Sequence, residues 1–168
     1  MTDATSATSY SSVDTAPARA SATPTARSPR RPGPTASLGL LVLRVVAGSV
    51  LAVHGVQNLL DAEGHIAATA RFGIPFPEIS GWLSMLGEAG LGVLLVFGAL
   101  TRVAGVLAAL LMAMTFAVVH LPQGLIGQDP GVNGESALLI GAAALALALV
   151  GPGAYAVDRL LFRGPTAG

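Results

Sequence analysis

The chain has 168 residues, of which 52% are hydrophobic and only 11% are charged, and its formal net charge at neutral pH is zero. A soluble domain usually carries about a quarter charged residues, so this composition predicts a protein that has lipid as its solvent. The absence of cysteine excludes a structural disulfide, a thiolate metal ligand and thiol redox chemistry by this chain alone. Zero net charge gives no indication of nucleic-acid binding.

Residues 1–36 consist mainly of Ser, Thr, Ala, Pro and Arg, with almost no apolar side chains. Such a segment cannot offset the entropy that ordering would cost, so we predict a disordered tail. The pair Arg30-Arg31 superficially resembles a twin-arginine export signal, but the prolines around it spoil the match. The favoured interpretation is that the arginines hold the tail on the cytoplasmic side of a membrane.

Four apolar segments follow the tail and are predicted to be membrane-spanning helices. A helix needs about 20 residues to cross about 30 Å of hydrocarbon; three segments approach that length and the last is near the lower limit. They predict an all-α fold, namely an integral-membrane four-helix bundle over residues 37–163 with a short C-terminal tail at 164–168. The predicted helices are 38–60, 79–100, 103–121 and 135–150.

The connection between the first two segments is predicted to contain a short helix that lies on the outer face of the membrane. Asp61 is a suitable N-cap and Gly73 a suitable end, and Pro75 and Pro77 prevent its continuation. The second and third segments are separated only around Thr101, which leaves room for a tight helical hairpin.

The arginines predict the orientation. If both termini are cytoplasmic, the tail, Arg102, Arg159 and Arg163 all lie inside and only Arg71 lies outside, as the positive-inside rule requires. The sequence therefore predicts a multi-pass protein of a bacterial plasma membrane with both termini in the cytoplasm.

Each predicted helix carries small and polar side chains at three- and four-residue spacing. At about 100° per residue such positions share one face, and small or polar residues on an apolar helix face other helices. The predicted faces are Arg44, Ala47, Gly48, Leu51, His54, Gly55 and Asn58 on the first helix, Gly81, Ser84, Glu88 and Gly92 on the second, Gly105, Ala109, Ala113, Phe116 and His120 on the third, and Glu135, Leu139, Ala142 and Ala146 on the fourth.

Four ionisable side chains, one from each helix, are thereby predicted to converge in the outer half of the bundle: His54, Glu88, His120 and Glu135. Arg44 lies deeper toward the cytoplasm, and its long side chain is able to point toward Glu88. A charge at the centre of a membrane helix costs about 2.5–3.5 kcal/mol. Glu88 must therefore pair with Arg44 or His54, be protonated, or face a water-filled cavity.

Two interpretations of these polar residues stay open. In the functional one, Glu88 and His54 are the catalytic candidates, as a proton relay or a quinone contact, and the candidates for binding are Arg44, Asn58, His120 and Glu135. In the structural one, Arg44 and Glu88 form a buried ion pair that fixes helix register, and His120 and Glu135 are ordinary boundary residues. A metal site is not predicted, because the chain has no Glu-x-x-His pair of the kind that di-metal bundles use.

The order and spacing of several sequence pieces over residues 38–162 resemble the DoxX family of small bacterial membrane proteins. The resemblance implies a four-helix plasma-membrane protein whose relatives include DoxD, the membrane subunit of a thiosulfate:quinone oxidoreductase, and members of complexes that link superoxide detoxification to thiol metabolism. Asn58 departs from the family, which usually has a lysine there. The pieces are LRVVAGSVLAVHG, FGIP, GEAGLGVLLVFGALTR, the His120 region, NGESALL and GPGAYAVDRLL.

Three functional hypotheses follow. The first is a membrane subunit of a redox, oxidative-stress or sulfur-metabolism system that is linked to a quinone, with electrons supplied by a cofactor or partner. The second is a non-catalytic scaffold that docks soluble redox proteins through the arginine-rich tail. The third is a carrier of a small solute or protons, which four helices without an inverted repeat make less favourable unless the chain forms an oligomer. All three place the chain in a lipid bilayer, and none involves nucleic acid.

Overall fold

The computed structural model describes residues 33–126 and 132–161, with the side chains of residues 160 and 161 left aside. In these ranges the regular structure is helical, apart from one isolated bridge between Ile126 and Val132. Most of the predicted disordered tail, as well as the tail at 164–168, lies outside the described residues. The helices are α1 (Pro34–Leu60), α2 (Ala62–Arg71), α3 (Pro77–Phe97), α4 (Thr101–Thr115), α5 (Glu135–Val150) and α6 (Asp158–Leu161).

The helices confirm the predicted all-α membrane architecture, with boundaries that differ by a few residues. α1 begins at Pro34, four residues before the predicted start, because proline fits the first turn of a helix, where its missing N–H has no intrahelical partner. α4 continues through a π-helical turn, Phe116–His120, and a 3-10 turn, Leu121–Gln123. α1, α3 and the span Thr101–Gln123 are long and apolar enough to cross a bilayer, whereas α5 is shorter.

The short helix α2 follows the predicted signals. The side chain of Asp61 caps it by accepting a hydrogen bond from the N–H of Gly64, and Gly73 after it has a left-handed φ of 70°. α2 packs on the first turns of α3, where Ile66 lies over Gly81. The end of the bundle that carries α2 is called the α2 end below, and the opposite end, where α6 lies, the α6 end.

The closest helix packing joins α1 to α3. A Cβ atom added at Gly48, Gly55 or Gly92 would lie closer than 3.0 Å to the backbone of the facing helix, so only glycine permits the observed distance. Small residues are what allows such close approach in membranes, where no hydrophobic effect drives helices together. This contact confirms the small-residue faces predicted for the first two long helices.

The predicted faces of the last two helices are less accurate. α4 buries Thr101, Ala104, Gly105, Ala108 and Met112, so Gly105 is placed correctly but Ala113 is exposed. α5 buries Ala137, Ala144, Leu147 and Ala148, and the predicted Glu135, Leu139 and Ala142 are exposed. The physical reason is that α5 is made of Ala, Leu and similar residues on all sides, so its sequence contains no pattern that marks one face.

The outward surface of the long helices is apolar, as expected for contact with lipid. Large hydrophobic side chains are exposed along α1, α3, α4 and α5, which in water would form an aggregation-prone surface. Trp82 near the α2 end and Tyr155 near the α6 end are about half exposed. Such aromatic residues favour the two membrane–water interfaces, so these two residues indicate where the hydrocarbon region ends.

Candidate functional site

Glu88 is the buried acid of the bundle. Only 4% of it is exposed, and it lies eleven residues after the start of α3, roughly 16 Å along the helix. Its Oε2 accepts a hydrogen bond of 2.9 Å from Nδ2 of Asn58 near the end of α1. The side chain reaches Asn58 because helical side chains lean toward the helix N-terminus, which for α3 is the α2 end.

His54 lies one turn before Asn58 on α1 and level with Glu88, since Gly55 packs against the backbone of Ala89. The charge of His54 acts on Glu88 and on His65. The ring is nevertheless exposed, so the prediction that His54 lies deep on the inner stripe is wrong. It lies at the edge of the stripe because Gly48, Leu51 and Gly55 face α3. His54 comes directly before Gly55, and successive residues of a helix point about 100° apart.

His65 on α2 is a member of the site that the sequence analysis missed. Its Nε2 lies 2.8 Å from Oγ of Ser84, and Ser84 lies one turn before Glu88 on the same face of α3. Because the hydroxyl of Ser84 donates to the carbonyl of Gly81 at 2.9 Å, its oxygen accepts from Nε2–H of His65. The signal that could have found it is His65 and Thr69 at four-residue spacing, since Thr69 is the buried residue of α2.

These five residues, His54, Asn58, His65, Ser84 and Glu88, form what we call the α2-end cluster. Two hydrogen bonds join its three helices, Asn58 to Glu88 and His65 to Ser84. Within the cluster, His65 on α2 is half-buried, whereas the carboxyl of Glu88 is buried between α1 and α3. It therefore combines groups that bind and release protons with amide and hydroxyl groups that hold them in place.

The imidazole of His65 is held neutral. Burial lowers its pKa below the ordinary value and the nearby His54 lowers that pKa further, whereas Asp61 raises it. With Nε2–H donated to Ser84, the neutral ring carries its proton on Nε2, and Nδ1 has a free lone pair. His65 is consequently a base that can accept a proton at Nδ1.

The stability of the protein is expected to depend on pH through His65. Because its pKa is lower in the folded protein than in the unfolded chain, the unfolded chain binds more protons between the two values. The free energy of unfolding should be retained above the ordinary pKa of about 6.5 and fall as the pH decreases below it. His65→Gln keeps a donor toward Ser84 but does not titrate, so it should flatten this slope. Unfolding by SDS, followed by circular dichroism at a series of pH values, measures the effect; equal slopes in the two proteins would contradict it.

Arg44 is at the other end of the bundle, and the ion pair with Glu88 that the structural interpretation offered is not formed. Its Nη1 donates to the carbonyl of Pro152 at 2.9 Å and its Nη2 to the carbonyl of Tyr155 at 2.7 Å. Arg44 lies ten residues before His54, roughly 15 Å along α1, and its side chain leans toward the start of that helix. The guanidinium passes Gly98, where a Cβ atom would collide with it.

Asp158 completes this second polar region. Its two carboxylate oxygens accept from the N–H groups of Leu100 and Thr101 at the start of α4, and its charge also acts on Arg44. The segment 151–158 is thus fixed to α1 by Arg44 and to the α3–α4 turn by Asp158. These contacts close the α6 end of the bundle.

His120 and Glu135 do not join the α2-end cluster. Nδ1 of His120 lies 3.3 Å from Oδ1 of Asn133, and its ring covers Gly134, so it fixes the α4–α5 connection. Glu135 is exposed at the start of α5. In the described ranges no hydrogen bond links either residue to Glu88. The predicted convergence of the four long helices is thus reduced to α1 and α3, which α2 joins through His65. Among the described residues, no group of three or more His, Cys, Asp or Glu side chains is placed to hold a metal.

Comparison with known proteins places these features in a family. A family model described as DoxX matches residues 39–121. The chain is 32% identical to the Bacillus subtilis (strain 168) protein named "Putative oxidoreductase CatD", over 78% of this chain and 92% of the relative. It is 27% identical to "Inner membrane protein YphA" of Escherichia coli (strain K12), over 71% of this chain and 88% of that protein. No solved structure matches the chain significantly.

Proposed function

Since the chain belongs to the DoxX family of membrane proteins, we propose that it is the membrane subunit of a redox system and that its α2-end cluster binds the headgroup of a quinone. Reduction of a quinone to a quinol takes up two electrons and two protons. The protein must therefore hold the two carbonyl oxygens and deliver protons to them inside a membrane.

The observation that carries this proposal is the buried carboxyl of Glu88, hydrogen-bonded to Asn58 within an apolar bundle. An intramembrane ionisable residue is costly and marks substrate or proton pathways in membrane proteins. Glu88 is suited to donate a proton to a quinone carbonyl, and the amide of Asn58 to orient that carbonyl. Placed this way, Glu88 acts as a general acid.

The α2-end cluster has an edge on the lipid-facing surface of the bundle, which also supports a quinone as the substrate. The exposed ring of His54 lies beside Val50 and Val53, which are exposed on the apolar surface of α1. A quinone is lipid-soluble and would reach the cluster past this histidine without entering water. His54 would contact the second carbonyl oxygen or exchange a proton with Glu88.

The electrons must come from a partner, because the chain has no cysteine and its own side chains carry protons rather than electrons. The name of the Bacillus subtilis relative, "Putative oxidoreductase CatD", is consistent with a redox assembly. We propose that a soluble redox protein delivers the electrons, with a sulfur compound such as thiosulfate as their source.

The test is donor-dependent quinone reduction in membranes that express the protein, with thiosulfate and other sulfur donors supplied. Glu88→Gln keeps the size and polarity of the side chain but removes the proton. If Glu88 is the general acid, the rate should fall by about 10²-fold or more, while the variant still inserts and purifies normally.

The matched control is Glu78→Gln, which makes the same change on the exposed first turn of α3 and should retain the rate of the unchanged protein. If Glu88→Gln also retains it, the cluster is not the site of proton delivery. If no donor gives reduction above that of empty membranes, the redox proposal fails and the scaffold hypothesis gains, which is then tested by partner binding after deletion of residues 1–32.

The positions of the arginines also support an orientation of the bundle in the membrane. Arg102 and Arg159 lie at the α6 end and Arg71 at the α2 end, so the positive-inside rule places the α6 end in the cytoplasm. We propose that the α2-end cluster faces the outer aqueous phase.

A further inference from the structure

His65 reaches the α2-end cluster from α2, the helix outside the membrane-spanning segments. The residue is half-buried, so one part of its ring contacts Ser84 and another part remains exposed. Glu88 is almost completely buried. A carboxyl in that position cannot exchange protons with water at a useful rate unless another group connects them.

We propose that His65 is the relay residue through which protons pass between the aqueous phase at the α2 end and Glu88. The inference rests on the proposed function for its substrate, but the proton transfer itself requires only the cluster. In the transfer, neutral His65 binds a proton from water and becomes an imidazolium. The imidazolium then gives one proton toward Glu88, whose carboxylate becomes a carboxyl, and the ring returns to its neutral form.

The position of His65 is fixed by contacts on two sides. Ser84 accepts from Nε2–H of the ring, and Thr69 donates its hydroxyl to the carbonyl of His65 at 2.9 Å. α2 is itself fixed at its start by Asp61 and along its length by Ile66 packing over Gly81. The histidine is thus held against α3 one turn from Glu88, rather than exposed on a free surface helix.

Titratable groups from α1 and from the start of α2 face His65. Asp61 at the start of α2 is exposed, His65 is half-buried, and the exposed His54 on α1 lies within electrostatic range of both His65 and Glu88. The lowered pKa of His65 keeps it in the form that can accept a proton at neutral pH. His65 is therefore joined by Ser84 to α3 one turn from Glu88, and it lies within electrostatic range of His54, whose charge also acts on Glu88.

The variant His65→Gln distinguishes a relay role of His65 from a purely structural one. The glutamine amide can still donate a hydrogen bond to Ser84 but cannot carry a proton. If His65 is a relay, the variant should lose about tenfold or more in kcat for quinone reduction with little change in KM. The part of the pH dependence of kcat that comes from titration of His65 should also disappear. Imidazole added to His65→Ala should restore part of the rate.

The control on the same helix is Glu63→Gln, which alters an exposed charge in the first turn of α2 and should leave the rate unchanged. A His65→Gln variant that matches the unchanged protein in kcat and in pH profile would overturn the relay.

A second measurement does not depend on quinone chemistry. After a rapid pH jump in reconstituted membranes, the carbonyl stretch of protonated Glu88 is followed by infrared spectroscopy and identified by its loss in Glu88→Gln. Slower appearance of this band in His65→Gln supports the relay, even if the unchanged protein reduces no quinone and the proposed function fails. Equal rates overturn the relay whatever the outcome for quinone reduction.

Discussion

Arg44→Met is expected to lower the free energy of unfolding by about 2–4 kcal/mol, because two hydrogen bonds from a charged group to backbone carbonyls are lost. Arg44 is 1% exposed, and its guanidinium satisfies the carbonyls of Pro152 and Tyr155. Methionine fills similar space but donates no hydrogen bond, so both carbonyls lose their partner, and Asp158 loses a favourable charge interaction. Unfolding by SDS in detergent micelles, followed by circular dichroism, measures the change.

The matched control is Arg102→Met, which removes an exposed arginine from the same end of the bundle and should change the free energy of unfolding by no more than about 0.5 kcal/mol. Arg44→Lys should give an intermediate loss, because an ammonium keeps the charge but cannot match the planar fork that spans two carbonyls. A stability of Arg44→Met equal to that of Arg102→Met would show that the segment 151–158 is held by other contacts.

The position of Arg44 also shows a limit of sequence reasoning. The sequence indicated correctly that a buried arginine needs partners, and it offered the acid Glu88 as one alternative. The actual partners are two backbone carbonyls that lie 108 and 111 residues later in the chain. Every residue has a carbonyl, so no side-chain pattern distinguishes the two that are used.

The helical architecture was predictable because its signals are local. Asp61 and Gly73 mark where α2 begins and ends, and α3 begins at Pro77. The length of each apolar segment follows from the thickness of the bilayer. The α1–α3 contact was predictable too, because glycines at positions such as Gly48 and Gly92 give a clear face. The orientation of α5 was not, since its side chains are apolar in every direction.

The candidate site was predicted in part. Glu88 and Asn58 are hydrogen-bonded as members of facing helices, and His54 lies beside them, although at an exposed edge. His65 was missed because it belongs to the connection between two spans, where polar residues are expected anyway. His120 and Glu135 were included because they lie at the same predicted depth, but depth alone does not specify direction.

The two polar regions are separated by the small-residue contact between α1 and α3. Arg44 closes the α6 end of α1, and Asn58 meets Glu88 near the other end of the same helix. A rigid contact between these ends keeps α1 in register with α3. The geometry of the α2-end cluster therefore depends on glycines that carry no chemistry themselves.

Gly92→Val is the substitution expected to damage both stability and function. A side chain at position 92 would collide with the backbone of Ala52 and with the carbonyl of Gly48, and backbone cannot move aside as a flexible side chain can. The free energy of unfolding should fall by about 3 kcal/mol or more, at or above the upper end of the range for overpacking. A shift of α1 away from α3 would also separate Asn58 from Glu88, so donor-dependent quinone reduction should fall with it.

Gly90→Val provides the control, because it makes the same change two residues away on the same helix. A Cβ atom at Gly90 meets nothing within 4 Å, since that position faces away from α1 toward the lipid. Its effect on stability should stay within about 0.5 kcal/mol, and its activity should match that of the unchanged protein. Equal losses in the two variants would mean that glycine is required in α3 for a reason other than the α1 contact. A Gly92→Val protein that is unstable in detergent but fully active in membranes would show that the cluster does not need this register.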